Sequence, residues 1–420
     1  MTRHILYCKI QTEKKIMKAE IYFDNASTTK MSAEVLQAMM PVMTECYGNS
    51  NSVHGVGRDA NKYIDNARDT IAKTLNVSPS EIYFTSGGTE ANNWAIIGIA
   101  MANKGKGNHI ITSKFEHHSV LDACEYLEKN GFEVTYLDVD HHGFVNFAEL
   151  IGAIRPDTIL ISIMSANNEV GTIQNIKAIA QTAKEYGIIF HTDAVQLYGS
   201  MNFDCQDMGI DALSISSHKI YGPKGVGALY ISNKIDIDNI HFGGSQERGR
   251  RGGTLNVAGI TGFAKAAEIA YRDLKENQYK LKTLSEYFVA QLTREVPDVI
   301  INGYDKQKLP KIVSATFVGI DGSALLMMLD LKGVYVSTGS ACMSNSIEVS
   351  HVLKAMGMTD DLAKGTIRFS FSKNNEYEEV DIAVAIIKEC VEKLRSFSPT
   401  YSSKSTLKQK RGRKKKNENV

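Results

Sequence analysis

Nowhere does an apolar run approach the roughly 18 consecutive residues that a membrane span requires, so the sequence predicts a soluble protein. Cysteine is sparse and scattered. Cys8, Cys46, Cys124, Cys205, Cys342 and Cys390 form no CxxC pair and no zinc-ligand spacing, which argues against a disulfide scaffold or a zinc module and for free thiols in a reducing compartment. Neither charge dominates: 48 basic side chains face 47 acidic ones, so the total does not suggest a strongly basic nucleic-acid binder. The N-terminus lacks the apolar core of a signal peptide, and with Glu13 among its lysines and little serine it makes a poor transit peptide. Cytoplasm is the expected location.

What is present is enough for a folded body. Of 420 residues 43% are apolar, which supplies a sizeable core and excludes disorder for most of the length. The near-neutral total hides an asymmetry. Lys404 to Val420 carries eight basic residues and one acidic, a local charge of +7, so residues 1 to 403 sum to −6. This Ser-, Lys- and Arg-rich tail reads as disordered, either merely solvated or able to bind polyanions. Met17 opens a segment that reads like a natural start just before the first strand, leaving residues 1–18 as an expected disordered leader.

After a short strand at Ile21 to Phe23, Ala60, Ile64, Ala67, Ile71 and Leu75 recur three to four apart and predict an amphipathic helix. From Ile82 to Ile231 short apolar strands alternate with helical stretches: Ile82 to Thr85, Ile110 to Thr112, Val134 to Leu137, Thr158 to Met164, Ile188 to His191, Leu213 to Ser216 and Gly227 to Ile231. That alternation predicts an α/β fold with a mainly parallel sheet covered on both faces. Past residue 270 the pattern changes to a long helix (Leu281, Leu284, Phe288, Leu292), strands at Ile312 to Phe317, Val334 to Val336 and Thr366 to Phe371, and a final helix from Val380 to Leu394. A smaller α+β domain is expected there.

Ser86-Gly87-Gly88-Thr89-Glu90 stands between a strand and a helix, where backbone N–H groups and the helix dipole can hold a phosphate. It matches neither a Walker A loop nor a GxGxxG fingerprint, and an ordinary turn would look the same. Asp193, in His191-Thr192-Asp193-Ala194-Val195-Gln196, falls at the carboxyl end of a strand, as a ligand-binding acid or as a helix N-cap. Lys219, in Ser216-Ser217-His218-Lys219, follows the next strand to the same edge. Phosphate loop, acid and lysine together are what pyridoxal phosphate needs: donors for its phosphate, a partner for its pyridinium nitrogen and an amine for its aldehyde. Asp138-Val139-Asp140-His141-His142-Gly143 resembles a metal set, but adjacent side chains on a strand exit point apart and the glycine marks a turn, so no metal site is expected.

With these runs, Asn167-Asn168-Glu169-Val170-Gly171, Glu247-Arg248-Gly249-Arg250-Arg251-Gly252-Gly253-Thr254 and Ser337-Thr338-Gly339-Ser340-Ala341-Cys342, the chain resembles the cysteine desulfurases of the NifS/IscS type from about Ile21 to Pro399. The resemblance implies the fold type I, aspartate-aminotransferase-like architecture of pyridoxal-phosphate enzymes. Residues 35–270 would form the large cofactor domain, 19–34 and 271–400 the small domain, and 401–420 the basic tail. It implies Lys219 as the lysine that bonds the cofactor, Asp193 at its pyridine nitrogen, Gln196 at its phenolic oxygen and His117 stacked on its ring. Gly88, Thr89, Ser216 and His218 would hold the phosphate, joined by Thr254 from the second subunit of a homodimer. Asn168 and Arg368 would grip the carboxylate of L-cysteine. Cys342, among small polar residues that form no apolar pocket, would take the sulfur as a persulfide for an iron-sulfur scaffold or a thiolation relay. In that loop Met343 replaces the usual Thr or Ser and Val349 a usual proline. Two rivals remain: a selenocysteine lyase or aminotransferase of the same superfamily, for which transamination needs no nucleophilic thiol, and a non-catalytic protein acting through its basic tail.

Overall fold

The structure, a computed structural model, describes residues 20–303, 306–338, 349–397 and 401. Seven strands build the central sheet: β2 (Ile82–Thr85), β3 (His109–Ser113), β4 (Glu133–Leu137), β5 (Thr158–Ser162), β6 (Ile189–Asp193), β7 (Ala212–Ser216) and β8 (Gly227–Ile231). They lie in the order β2-β8-β7-β6-β5-β3-β4, and β8 alone runs against the others. Most of these strands are buried along their whole length, because helices cover both faces. The period of two is visible in the packing. Phe84, Ile111 and Ile161 enter one apolar cluster, and their neighbours Tyr83, Ile110 and Leu160 enter the cluster on the opposite face.

On the first face lie α1 (Ala33–Thr44), α2 (Gly55–Leu75) and α3 (Val257–Arg272). Helix α2 buries Ala60, Ile64, Ala67, Ile71 and Leu75, the stripe legible in the sequence. It starts at Gly55, a turn before the apolar stripe, since His54 Nδ1 caps it by accepting from the Gly57 N–H, and it ends at Asn76 in the left-handed region. Strand β5 stops at Ser162, short of the expected Met164, and β6 runs on through Asp193.

A third apolar cluster gathers Phe23, Phe288, Phe317, Phe369 and Phe371. Here β10 (Ile312–Phe317) pairs with β9 (Val299–Asn302) and β12 (Thr366–Ser370), both antiparallel, beneath α4 (Leu274–Glu295) and a helix at Tyr377–Ser396. Strand β9 has no counterpart in the sequence-based reading. The first strand, β1 (Ile21–Tyr22), pairs in parallel with β11 (Val334–Tyr335), so the N-terminal segment is tied to this cluster before it crosses toward the large sheet. Residues Asn25 to Thr29 then run beneath the turn after β7, where the Thr29 N–H and hydroxyl both donate to the His218 carbonyl at 3.0 and 2.8 Å. Among the described residues no helix is long and apolar enough to cross a membrane.

Candidate active site

The carboxyl ends of β2, β3, β5, β6 and β7 converge, and almost every site residue proposed from the sequence comes from the turns they open. Asp193 is the last residue of β6 and no helix begins there; its Oδ1 accepts from the Val195 N–H at 2.9 Å. Its Oδ2 accepts from Asn92 Nδ2 at 2.7 Å. The other proton of that amide goes to Ser119 Oγ at 2.9 Å, and Ser119 Oγ meets His117 Nδ1 at 2.8 Å. A continuous chain therefore links the acid to the imidazole.

His117 caps the helix His118–Glu128, its Nδ1 accepting from the Ser119 backbone N–H at 3.1 Å. Since Nδ1 is an acceptor, the proton of the neutral ring sits on Nε2. Burial, above any nearby charge, holds this histidine below its usual pKa, with Asp193 pulling up and Lys219 down. His218, half-buried with Nδ1 3.2 Å from Thr28 Oγ1, is pushed down to about 4 by burial and by Lys219 and Lys224. Both rings are neutral at physiological pH.

Lys219 leaves the turn after β7, and its Nζ donates to the carbonyls of Ala26 and Ser27 at 2.6 and 2.8 Å. Gln196 Nε2 donates to the same Ala26 carbonyl at 2.9 Å. The helix at Gly88–Asn93 begins without a side-chain cap. A Cβ at Gly88 would fall 2.6 Å from Val195 Cγ2, so only glycine lets this turn approach the turn after Asp193. Glu90 ties the turn to the 247–254 run through a bidentate pair with Arg251, at 2.7 and 3.0 Å. Thr89 and Thr254 are exposed.

The fit to pyridoxal phosphate can be tested on what these residues leave unsatisfied. Gln196 Oε1, Ser216 Oγ and Ser217 Oγ are buried without hydrogen-bond partners among the described residues. Ser217 Oγ faces Gly222, but Ser216 lies against the Gly88 turn and Gln196 shares the Ala26 carbonyl with Lys219, and native interiors rarely leave such atoms unpaired. Together with the uncapped turn at Gly88, they match a ligand that brings a phosphate and a phenolic oxygen to this edge, beside a lysine and an acid.

Arg368 lies within β12 and is buried. Its Nη2 donates to Asp24 Oδ1 at 2.9 Å and Ser27 Oγ at 2.7 Å, its Nη1 to the Asn168 carbonyl at 3.0 Å, and its Nε has no partner among the described residues. Asn168, which meets Arg368 through its backbone carbonyl, is half-buried. Cys342 lies outside the described residues, but both flanks of its segment are held at this site. Ser337 exchanges backbone hydrogen bonds with Arg368 at 2.7 and 3.2 Å. Ser350 donates to Glu169 Oε2 at 2.5 Å, and His351 Nε2 lies 2.9 Å from the Glu116 carbonyl. Cys342 is five residues beyond Ser337, a reach of about 17 Å at most when extended. The thiols of Cys124 and Cys205, by contrast, are buried and pushed well above the usual cysteine range by that burial.

Sequence reasoning missed Asn92, Ser119, Asp24 and Ser27. Asn92 carried a signal, lying one helical turn beyond Gly88 on the same face. Asp24 carried none, being 344 residues from the arginine it pairs with.

The aminotransferase class-V family profile matches residues 21–382. A cysteine desulfurase IscS of Dictyoglomus turgidum is 49% identical over 383 residues, spanning 91% of this chain and 97% of the relative. A solved structure of a NifS-like protein superposes with a TM-score of 0.85 at 41% identity, covering 89% of this chain and 100% of the other. A structure of SspA in complex with cysteine superposes with a TM-score of 0.76 at 36% identity, covering 84% and 99%.

Proposed function

The chain belongs to the aminotransferase class-V family, and we infer that it is a pyridoxal-phosphate-dependent cysteine desulfurase, converting L-cysteine to L-alanine with transfer of the sulfur to an enzyme cysteine. When bound, pyridoxal phosphate supplies an electron sink for negative charge at the substrate α-carbon. Lys219 would hold its aldehyde and move the α-proton. Asp193, fixed by Asn92, would keep its pyridine nitrogen protonated, Gln196 would bond its phenolic oxygen, and His117 would cover its ring. Gly88, Thr89, Ser216 and His218 would take the phosphate. Arg368 and Asn168 would hold the substrate carboxylate, Arg368 through the planar donor face that Asp24 and Ser27 orient. Cys342, as thiolate, would attack the substrate sulfur. A sulfur–sulfur bond forms as the substrate carbon–sulfur bond breaks, and the protein keeps a persulfide.

The observation that carries the residue assignment is the group of buried, unpartnered polar atoms around Lys219 and Asp193. Its test is direct. Lys219→Ala should purify folded but colourless, and Cys342→Ser should bind the cofactor and release no sulfide or alanine. Mass spectrometry after brief exposure to cysteine should find one added sulfur on the Cys342 peptide. Finding it on Cys124 or Cys46 would overturn the assignment.

The same reading includes a homodimer in which Thr254 reaches the partner's phosphate site. Its support is the exposure of Thr254 and of large apolar side chains, among them Tyr47, Val53 and Phe242, each more than four-fifths accessible in the single chain. The reading also keeps two domains, 35–270 against 19–34 with 271–400: the cluster of Phe23, Phe288 and Phe369 lies wholly within the second, while Ala26, Leu309 and Ile312 join the cluster of the large sheet. An iron-sulfur scaffold or a thiolation relay would accept the sulfur in the cytoplasm, and the tail at 401–420 would contact polyanions.

A further inference from the structure

A cavity lies behind Lys219. Helices α3 and α4 form one wall with Ile269, Leu274 and Leu281, and the opposite wall comes from Lys311 just before β10 and from Phe371 and Lys373 just after β12. Asp193, His117, Gln196 and Ser216 do not line it. Its charge is one-sided: Lys219, Lys311 and Lys373 border it, and no aspartate or glutamate does.

Lys311 is the unusual member. It is 7% exposed, and its Nζ makes no hydrogen bond or ion pair among the described residues. A buried, unpaired ammonium is expensive, and an apolar side chain of the same length would fill the space without that cost. Lys373 Nζ is 5.2 Å from the centre of the Tyr221 ring, and Lys219 is tied to Ala26 and Ser27. The side-chain amide of Asn277, also on the lining, has no hydrogen bond among the described residues and offers a second donor.

We propose that this cavity is a binding site for a small carboxylate, its anionic head on Lys311 and Asn277 and its short apolar body on Ile269, Leu274 and Leu281. Free amino acids are excluded, since an α-ammonium would enter a space bordered by three lysines. In the empty cavity Lys311 is pushed down to about 7 by burial and by Lys219. Tyr221, pushed up to about 12 by burial, stays neutral, and the two helices contribute only uncharged Asn277 and Gln278. A bound carboxylate restores the proton of Lys311, so at pH 8 binding takes up protons and affinity falls as the pH rises above about 7.

The test is calorimetric titration of the cofactor-loaded protein and of its Lys311→Met variant with butyrate and butyramide; it requires no turnover, and because butyrate can also meet Arg368, which does not line the cavity, only the binding that Lys311→Met removes belongs to this site. Butyrate should bind saturably with a dissociation constant in the millimolar range, with proton uptake seen by comparing buffers of different ionisation enthalpy at pH 8. Butyramide should not bind in this way. Lys311→Met should keep its melting temperature, lose at least about tenfold in butyrate affinity and lose the proton uptake. Should it fail to fold, Lys311→Gln serves instead. Equal butyrate affinity in the folded variant, or absence of saturable binding up to about 50 mM, overturns the proposal, as does equal binding of butyramide.

Discussion

Asn92 divides its two amide protons between Asp193 and Ser119, and so couples the acid of one strand end to the imidazole of another. Its effect is positional: together with the Val195 N–H it fixes the rotation of the Asp193 carboxylate and, through Ser119, which nitrogen of His117 carries the proton. Removing the amide from a buried site leaves Asp193 free to rotate. Asn92→Ala should therefore retain the cofactor, as judged by absorbance, while turnover falls about 10- to 100-fold, the usual cost of losing a residue that orients a catalytic group. Unchanged turnover would mean that Asp193 is held by Val195 alone. At this scale Asp193 and Lys219 were legible because each follows an apolar strand and must emerge at its end. The partners that orient them were not, since a hydrogen bond between residues 92 and 193 leaves no local pattern.

The run from Gly243 to Thr254 is anchored by one buried side chain. Glu247 accepts from Arg68 Nη2 at 2.6 Å, from Arg68 Nη1 at 2.9 Å and from the Phe84 N–H at 2.8 Å. That ties helix α2, strand β2 and the run together, and it holds Glu247 and Arg248 in the left-handed region with φ of 46° and 58°. Replacing Glu247 leaves Arg68 as a buried charge without its partner. Glu247→Ala should cost about 3–5 kcal/mol in denaturant unfolding and hasten cofactor loss, because Arg251, which ties the turn at Gly88 to this run through Glu90, sits on it. A loss below about 1 kcal/mol would show that the pair is replaceable by water. Elements with a strong period, such as α2, were readable from the chain to within a turn. The sense of β8 was not, because its apolar run would look the same in either direction and only pairing with β2 and β7 decides it. Nor was β9, a four-residue strand at a sheet edge with two half-buried positions and one exposed.

For the whole molecule, pH should act through buried carboxyls next to the site. Burial pushes Glu116 up to about 8, against the pull of the Met164 N–H and Ser113 hydroxyl. The folded state then keeps a proton that the unfolded chain releases near the ordinary glutamate value, so this group lowers stability as pH rises from about 4.5 through 8. Glu169, raised to about 7 by burial, acts in the same sense. Histidines oppose them at lower pH: His191, pushed down to about 3 by burial, must stay neutral in the fold and favours it as pH rises to about 6.5. Glu116→Gln should match the wild type near pH 5 and gain over it toward pH 9, by a few kcal/mol at about 1.4 kcal/mol per unit. A difference constant from pH 5 to 9 would refute a protonated Glu116. By itself, the sequence determined the alternation of strands and helices, the strand ends that bear Asp193 and Lys219, and the motifs that mark the family, since each is written in neighbouring residues by periods of two and 3.6 and by turn chemistry. Only the tertiary structure decided that β1 pairs with β11 across more than 300 residues, that Asp24 and Ser27 orient Arg368, and that Lys311 shares a cavity with Lys219. Those contacts come from packing one apolar surface on another, and such packing joins side chains whose separation along the chain carries no record of their meeting.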